Sequence, residues 1–283
     1  MDNLLPRLPF ADWIDTGVDW LVTHFGSVFD GISAFLKGIV EGSVDLMDMV
    51  PSIVLAILFA LLAWFISTRR IAIFTLVGLL FIDYLGYWYS MLQMLSLVIT
   101  SVVIALVIGI PLGILGSQQP TVKKIINPIL DLMQTMPAFV YLLPAIFFFN
   151  IGVVPGVVAS VIFSMPPTIR LTMLGIEQVP KDLIEATEAF GSTTWQRLTK
   201  VQIPLAKPTI MAGVNQSIML SLSMVVIASM VGAPGLGEEV YRAVTQLKTG
   251  VGFETGLSIV IVAIILDRIT QHAGKKKQGG TIR

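Results

Sequence analysis

Long apolar runs separated by short polar breaks dominate the chain from residue 51 onward. They give about seven candidate spans, at roughly 51–67, 71–88, 91–116, 129–150, 153–175, 208–232 and 255–271. Most approach the ~20 residues that an α-helix needs to cross a bilayer. Polar residues trim the apolar cores of the second and the last. The runs lack the in/out alternation of a membrane β-barrel. Lipid cannot satisfy open backbone groups, so the expected fold is an all-α integral membrane protein. Residues 1–50 carry a different pattern. Ile14, Val18, Leu21, Phe25, Val28, Ile32, Leu36 and Ile39 recur at helical spacing, with Asp12, Asp15, Asp19 and Asp30 between them. This predicts an amphipathic helix, with breaks allowed at Gly26 or Gly31, lying on the outer membrane surface or packed on neighbouring spans.

Charge placement orients the spans. If the tail HAGKKKQGGTIR is cytoplasmic, alternation puts 68–70, 117–128 and 176–207 on the same side. Of the 18 Lys and Arg, all but Arg7, Lys37, Arg242 and Lys248 then fall on the inner side, as the cytoplasmic bias of positive charge requires. The N-terminus is then outside, and DYLGYWYS (83–90) supplies an outer aromatic belt. Composition agrees, with 55% hydrophobic and 13% charged residues and a mean hydropathy of +0.85. The absence of cysteine excludes thiolate chemistry, and His24 and His272, at opposite ends, form no metal-ligand pair. No GxSxG, HExxH or mid-membrane carboxylate pair supports an intramembrane enzyme. The last span holds no Lys for a Schiff base, and Asp131 alone is thin support for an ion-coupled secondary transporter.

One polar segment interrupts this pattern. In 176–207, Pro180 opens a helix with Asp182 and Glu185 near its N-terminus, and Gly191 stops it. Ser192, Thr193 and Thr194 offer caps for a second helical piece through Trp195, Leu198 and Val201, which Pro204 and Pro208 are expected to end. Phe190, Trp195 and Leu198 make the pair partly apolar, so it needs something to bury against.

Glu185-Ala186-Thr187, three residues, Gly191, nine residues, then Val201-Gln202-Ile203-Pro204 resembles the EAA loop of ABC importer permeases. Thr187, Val201 and Ile203 are mild departures from that pattern. The resemblance implies a type I ABC importer permease fold in which Glu185, Ala186, Thr187, Ala189, Phe190, Gly191, Trp195 and Pro204 couple to an ATPase subunit. The chain has no GxxxxGK[ST] phosphate loop. ATP and Mg²⁺ are therefore expected on that partner, with no cofactor or metal on this chain and no nucleic-acid partner. A permease of this size supplies half of the usual pair, which implies a homodimer.

Stretches 128–156, 165–176 and 215–237 are similar to the glycine betaine/proline betaine branch of these permeases. That resemblance covers roughly residues 90–270 and implies import of a compatible solute such as glycine betaine. Choline, carnitine, proline or another amino acid is the alternative. It divides the chain into an interfacial segment (1–50), accessory scaffold helices (51–90), a core permease domain (91–271) and a basic cytoplasmic tail (272–283). The chain ends soon after its last span, so the substrate-binding protein is expected to be separate and extracellular. No Trp cluster lies mid-membrane to cage a quaternary ammonium. Candidates for a weak translocation path are Gln134, Thr135, Pro137, Tyr141, Asn215, Gln216, Ser221 and Ser223, although such residues also bond across packed helices. Asp131 and Arg170 are placed to pair at the inner ends of the fourth and fifth spans, as a gate or as ordinary interfacial charges.

Overall fold

The computed structural model describes residues 9–275. Residues 1–8 and most of the basic tail lie outside the described residues. The helices run in the order α1 (Phe10–Asp48), α2 (Ser52–Ile66), α3 (Arg69–Tyr84), α4 (Trp88–Gln118), α5 (Pro120–Thr135), α6 (Leu142–Phe149), α7 (Val153–Glu177), α8 (Lys181–Ala189), α9 (Thr194–Arg197), α10 (Ile203–Ser229), α11 (Leu236–Thr245) and α12 (Thr249–Lys275). Among the described residues, four helical segments are long and apolar enough to cross a membrane, or up to six if each of two bent pairs counts as one span.

The differences from the expected spans have local causes. α1 runs unbroken through Gly26 and Gly31, where a Cβ would meet nothing. It turns by 105° into α2 at Pro51. The expected spans 51–67 and 71–88 are helices of 15 and 16 residues. At 1.5 Å per residue they reach only about 22–24 Å, less than the ~30 Å hydrocarbon core. The expected span 129–150 is broken, with α5 and α6 bent by 110°. Met136 is extended (ψ 136°) ahead of Pro137, as the proline ring requires of its predecessor. Pro137 has no N–H for the Met133 carbonyl, and the Tyr141 hydroxyl donates to that oxygen instead. Nor do Pro204 and Pro208 end the second helical piece, because one continuous segment spans Thr194–Ser229. A π-turn at Leu198–Gln202 admits Pro204 to the first turn of α10, and the Ile203 N–H bonds the Leu198 carbonyl five residues back. A missing donor at residue 204 then costs little.

The core is α7, packed between α4 and α10. Small residues let the backbones approach. A Cβ on Gly113 of α4 would come within 2.6 Å of Thr172 Cβ and 2.8 Å of the Ile169 carbonyl oxygen, and one on Gly213 of α10 would lie 3.2 Å from the Pro167 oxygen. Hydroxyls bond across the same seam. Thr168 Oγ1 and Ser217 Oγ are 2.7 Å apart, and Ser217 Oγ donates to the Ser164 carbonyl at 2.6 Å. The second half of α1 lays Leu36 and Val40 on α4 and α7. Its first half exposes Trp13, Trp20, Phe25 and Val28, an apolar face suited to lipid.

The seam and the free glycines of α1 should respond oppositely to added side chains. Gly113→Val is expected to lower the thermal midpoint of the detergent-purified protein, since overpacking costs about 1–3 kcal/mol. Gly26→Ala should leave it unchanged or raise it, by up to about 1 kcal/mol of recovered helix propensity. Scanning fluorimetry on both variants checks this.

Candidate functional site

The segment between α7 and α10 folds as two helical pieces joined at a glycine. α8 ends in a pair of reversed hydrogen bonds, from Gly191 N–H to the Glu188 carbonyl (2.8 Å) and from Ser192 N–H to that of Thr187 (3.1 Å). These require the left-handed backbone found at Gly191 (φ +76°), which glycine adopts without steric cost. Thr193 then starts α9 through a reciprocal box. Its hydroxyl accepts from Gln196 N–H (3.2 Å), and its own N–H bonds Gln196 Oε1 (2.9 Å). Arg197 of α9 reaches back to Glu188 of α8 and links the two pieces. Leu198 is buried among Ile176 of α7 and Ala206 and Ile210 of α10, anchoring the segment to the membrane helices.

What remains outward is unusual for a surface. Phe190 is 92% exposed and Trp195 71%. Glu185, Ala186, Ala189, Gly191 and Pro204 are exposed and Thr187 is half-buried. Large apolar side chains left this open on a polar segment leave area free to be buried against a partner. Sequence reasoning placed the turn, the cap and the aromatic residues. It missed the Arg197–Glu188 pair, signalled only by opposite charges either side of Gly191, and the anchoring role of Leu198.

Asp131 and Arg170 meet, with Arg170 Nη2 donating to Asp131 Oδ1 at 2.5 Å. A second pair escaped the sequence reading. Lys123 of α5 donates to both carboxylate oxygens of Glu177 on α7, at 2.7 and 2.8 Å. Between them, Leu130 of α5 packs on Ile169 and Met173 of α7. The amphipathic α5 is therefore clamped to α7 by an apolar contact flanked by two exposed ion pairs.

The polar candidates divide. Gln134, Thr135, Pro137, Gln216 and Ser223 are exposed. Tyr141 and Ser221 are buried within the protomer. Asn215 is half-buried between helices: its Nδ2 donates to Asp267 Oδ1 of α12 (2.8 Å), and its Oδ1 accepts from Thr270 (2.9 Å). Asp267 is thus the centre of an α10–α12 polar junction that Gln271 completes at 2.8 Å. Among the described residues, no His, Asp and Glu cluster could hold a metal ion.

This arrangement has known relatives. The helices resemble those of the inward-facing MetNI methionine ABC transporter over 65% of this chain and 90% of that one, with a TM-score of 0.57 at 23% identity. The fold is accordingly that of a type I ABC importer permease. The glycine betaine transport system permease protein OpuAB of Bacillus subtilis is 71% identical over 278 residues, covering 98% of each chain. The glycine betaine/carnitine transport permease protein GbuB of Listeria monocytogenes is 55% identical, over 96% of this chain and 98% of its own. ProW of Escherichia coli, a glycine betaine/proline betaine permease protein, is 51% identical over 95% of this chain and 76% of its own. Residues 105–278, which hold the α7 seam and the capped segment, match the description "Binding-protein-dependent transport system inner membrane component", and the chain belongs to that family.

Proposed function

We propose that this chain is the membrane-spanning permease of an ATP-driven importer for glycine betaine or a closely related compatible solute. The observation that carries the reading is the 71% identity, across nearly the whole length, to a glycine betaine permease. Carnitine is the second reading, favoured by the name of the Listeria relative. In this proposal residues 1–50 lie at the outer interface, 51–90 form an accessory scaffold, and 91–271 form the transport core. The N-terminus is outside and the C-terminus is cytoplasmic.

The outward face of 185–204 is the ATPase-docking surface in this reading. Phe190 and Trp195 are its apolar anchors and Glu185 its charged rim, the usual anatomy of an interface. Leu198 and the Arg197–Glu188 pair carry the partner's movement into α7 and α10. ATP and Mg²⁺ act on the ATPase, and a separate external protein supplies high-affinity substrate binding. A second copy of this chain completes the pore. The exposed Gln134, Thr135, Gln216 and Ser223 offer weak hydrogen-bonding steps along it, and lipid surrounds the rest. The ion pairs between α5 and α7 form an inner latch.

Co-purification with the ATPase, together with betaine-stimulated ATP turnover, tests the docking surface. Gly191→Arg cannot take the left-handed backbone without strain, and Glu185→Lys reverses the rim charge. Each is expected to cut coupled turnover at least ten-fold while still inserting in membranes. Gly191→Asn, which tolerates that backbone, should lose less. Full coupled activity in both charged variants would defeat the docking role. Uptake of labelled betaine, with carnitine, choline and proline as competitors, decides the substrate.

The latch has its own test. Asp131→Lys and Arg170→Glu should each slow uptake several-fold, and the double swap should restore it. Because an exposed pair contributes only about 0–1 kcal/mol, the thermal midpoint should move little in any of the three. Unchanged uptake in both single variants would leave the pair an ordinary interfacial contact.

A further inference from the structure

Away from the transport core, α2 and α3 enclose an open groove of about 500 Å³, within the size range of small-molecule sites. Ile57, Leu61 and Trp64 of α2 face Ile73 and Leu76 of α3 across it, and Arg69 lies at one end. Ala60 and Ala72 also line it, and their small side chains keep it open. Arg70 follows directly, both arginines are exposed, and neither forms an ion pair among the described residues. From Ile57 to Arg69 the groove follows the last three turns of α2, about 14–16 Å at 1.5 Å per residue. It is therefore an apolar trough with a doubly cationic mouth.

We propose that this groove holds one acyl chain of an anionic phospholipid whose phosphate sits on Arg69 and Arg70. Charge complementarity selects the headgroup. A guanidinium fork matches phosphate oxygens in two-point geometry, and two adjacent unpaired cations favour a net-negative lipid over a zwitterionic one. Helix length selects a membrane occupant over a soluble one. α2 and α3 have 15 and 16 residues and fall about 6–8 Å short of the hydrocarbon thickness. The arginines at their turn are thereby drawn to the level where a leaflet's phosphates meet its chains, and a held lipid fills the local mismatch. Trp64, half-exposed one turn before the arginines, suits the same interfacial depth.

The test uses the full chain in nanodiscs of equal phosphatidylglycerol and phosphatidylcholine, released into native mass spectrometry. Wild type should retain one tightly held phosphatidylglycerol at least five-fold over phosphatidylcholine. Arg69→Gln/Arg70→Gln should bring that ratio close to one. Ala72→Phe, which fills the groove and keeps both arginines, should remove the retained lipid of either headgroup. Equal retention of the two lipids by wild type overturns the proposal without reference to any variant. So does an undiminished preference in the double arginine variant. Displacement of the lipid by inorganic phosphate alone would mark a free-anion site and overturn it as well.

Discussion

Lipid tails attract an apolar helix surface as well as another helix does, so burial of apolar area does not by itself hold this bundle together. What holds α4, α7 and α10 is how closely their backbones approach, and that depends on residues with little or no side chain. Gly113 lies where any Cβ would strike Thr172 and the Ile169 carbonyl. Gly213 allows a close approach on the other side of α7, where a Cβ would lie 3.2 Å from the Pro167 oxygen, and the Thr168 and Ser217 hydroxyls, with the Ser164 carbonyl, turn proximity into specific bonds. The remaining elements are arranged about this seam. α5 is clamped to α7 from outside, α12 is tied to α10 through Asp267, and α1 lies across α4.

The same constraint explains the breaks. In hydrocarbon an unmatched carbonyl costs several kcal/mol, and two of the interruptions come with a substitute donor or an altered turn. Tyr141 supplies the donor that Pro137 lacks. The π-turn at 198–202 moves a bond by one residue so that Pro204 can sit in a helix. At Pro137 a side chain closes the gap in the ladder, and at Pro204 the shifted register absorbs it.

The sequence was most legible where one residue type has one physical use. Gly191 as a break, a cap among Ser192, Thr193 and Thr194, and Asp131 opposite Arg170 were all readable from spacing and charge. The spans 91–116, 153–175 and 255–271 each fall within a single helix. Legibility failed where the outcome depended on a distant partner. Pro137 and Pro204 look alike in the chain, yet one bends its segment by 110° and the other sits in a continuous helix. The difference lies in what could replace the missing bond. Asn215 read as a pore residue because nothing in its own helix points to Asp267, fifty-two positions away. The shortness of α2 and α3 was hidden because hydropathy does not register where a helix stops.

The unbroken run from Thr194 to Ser229, 36 residues long, has a mechanical consequence. It is held at Leu198 near one end and again along its length, at Ala206, Ile210, Gly213 and Ser217 against α7 and at Asn215 against α12. At 1.5 Å per residue it is about 54 Å long. Such an element is a splined shaft and not a free lever. Its repeated contacts leave it little room to slide against α7 or α12, so a displacement of one is shared by all three.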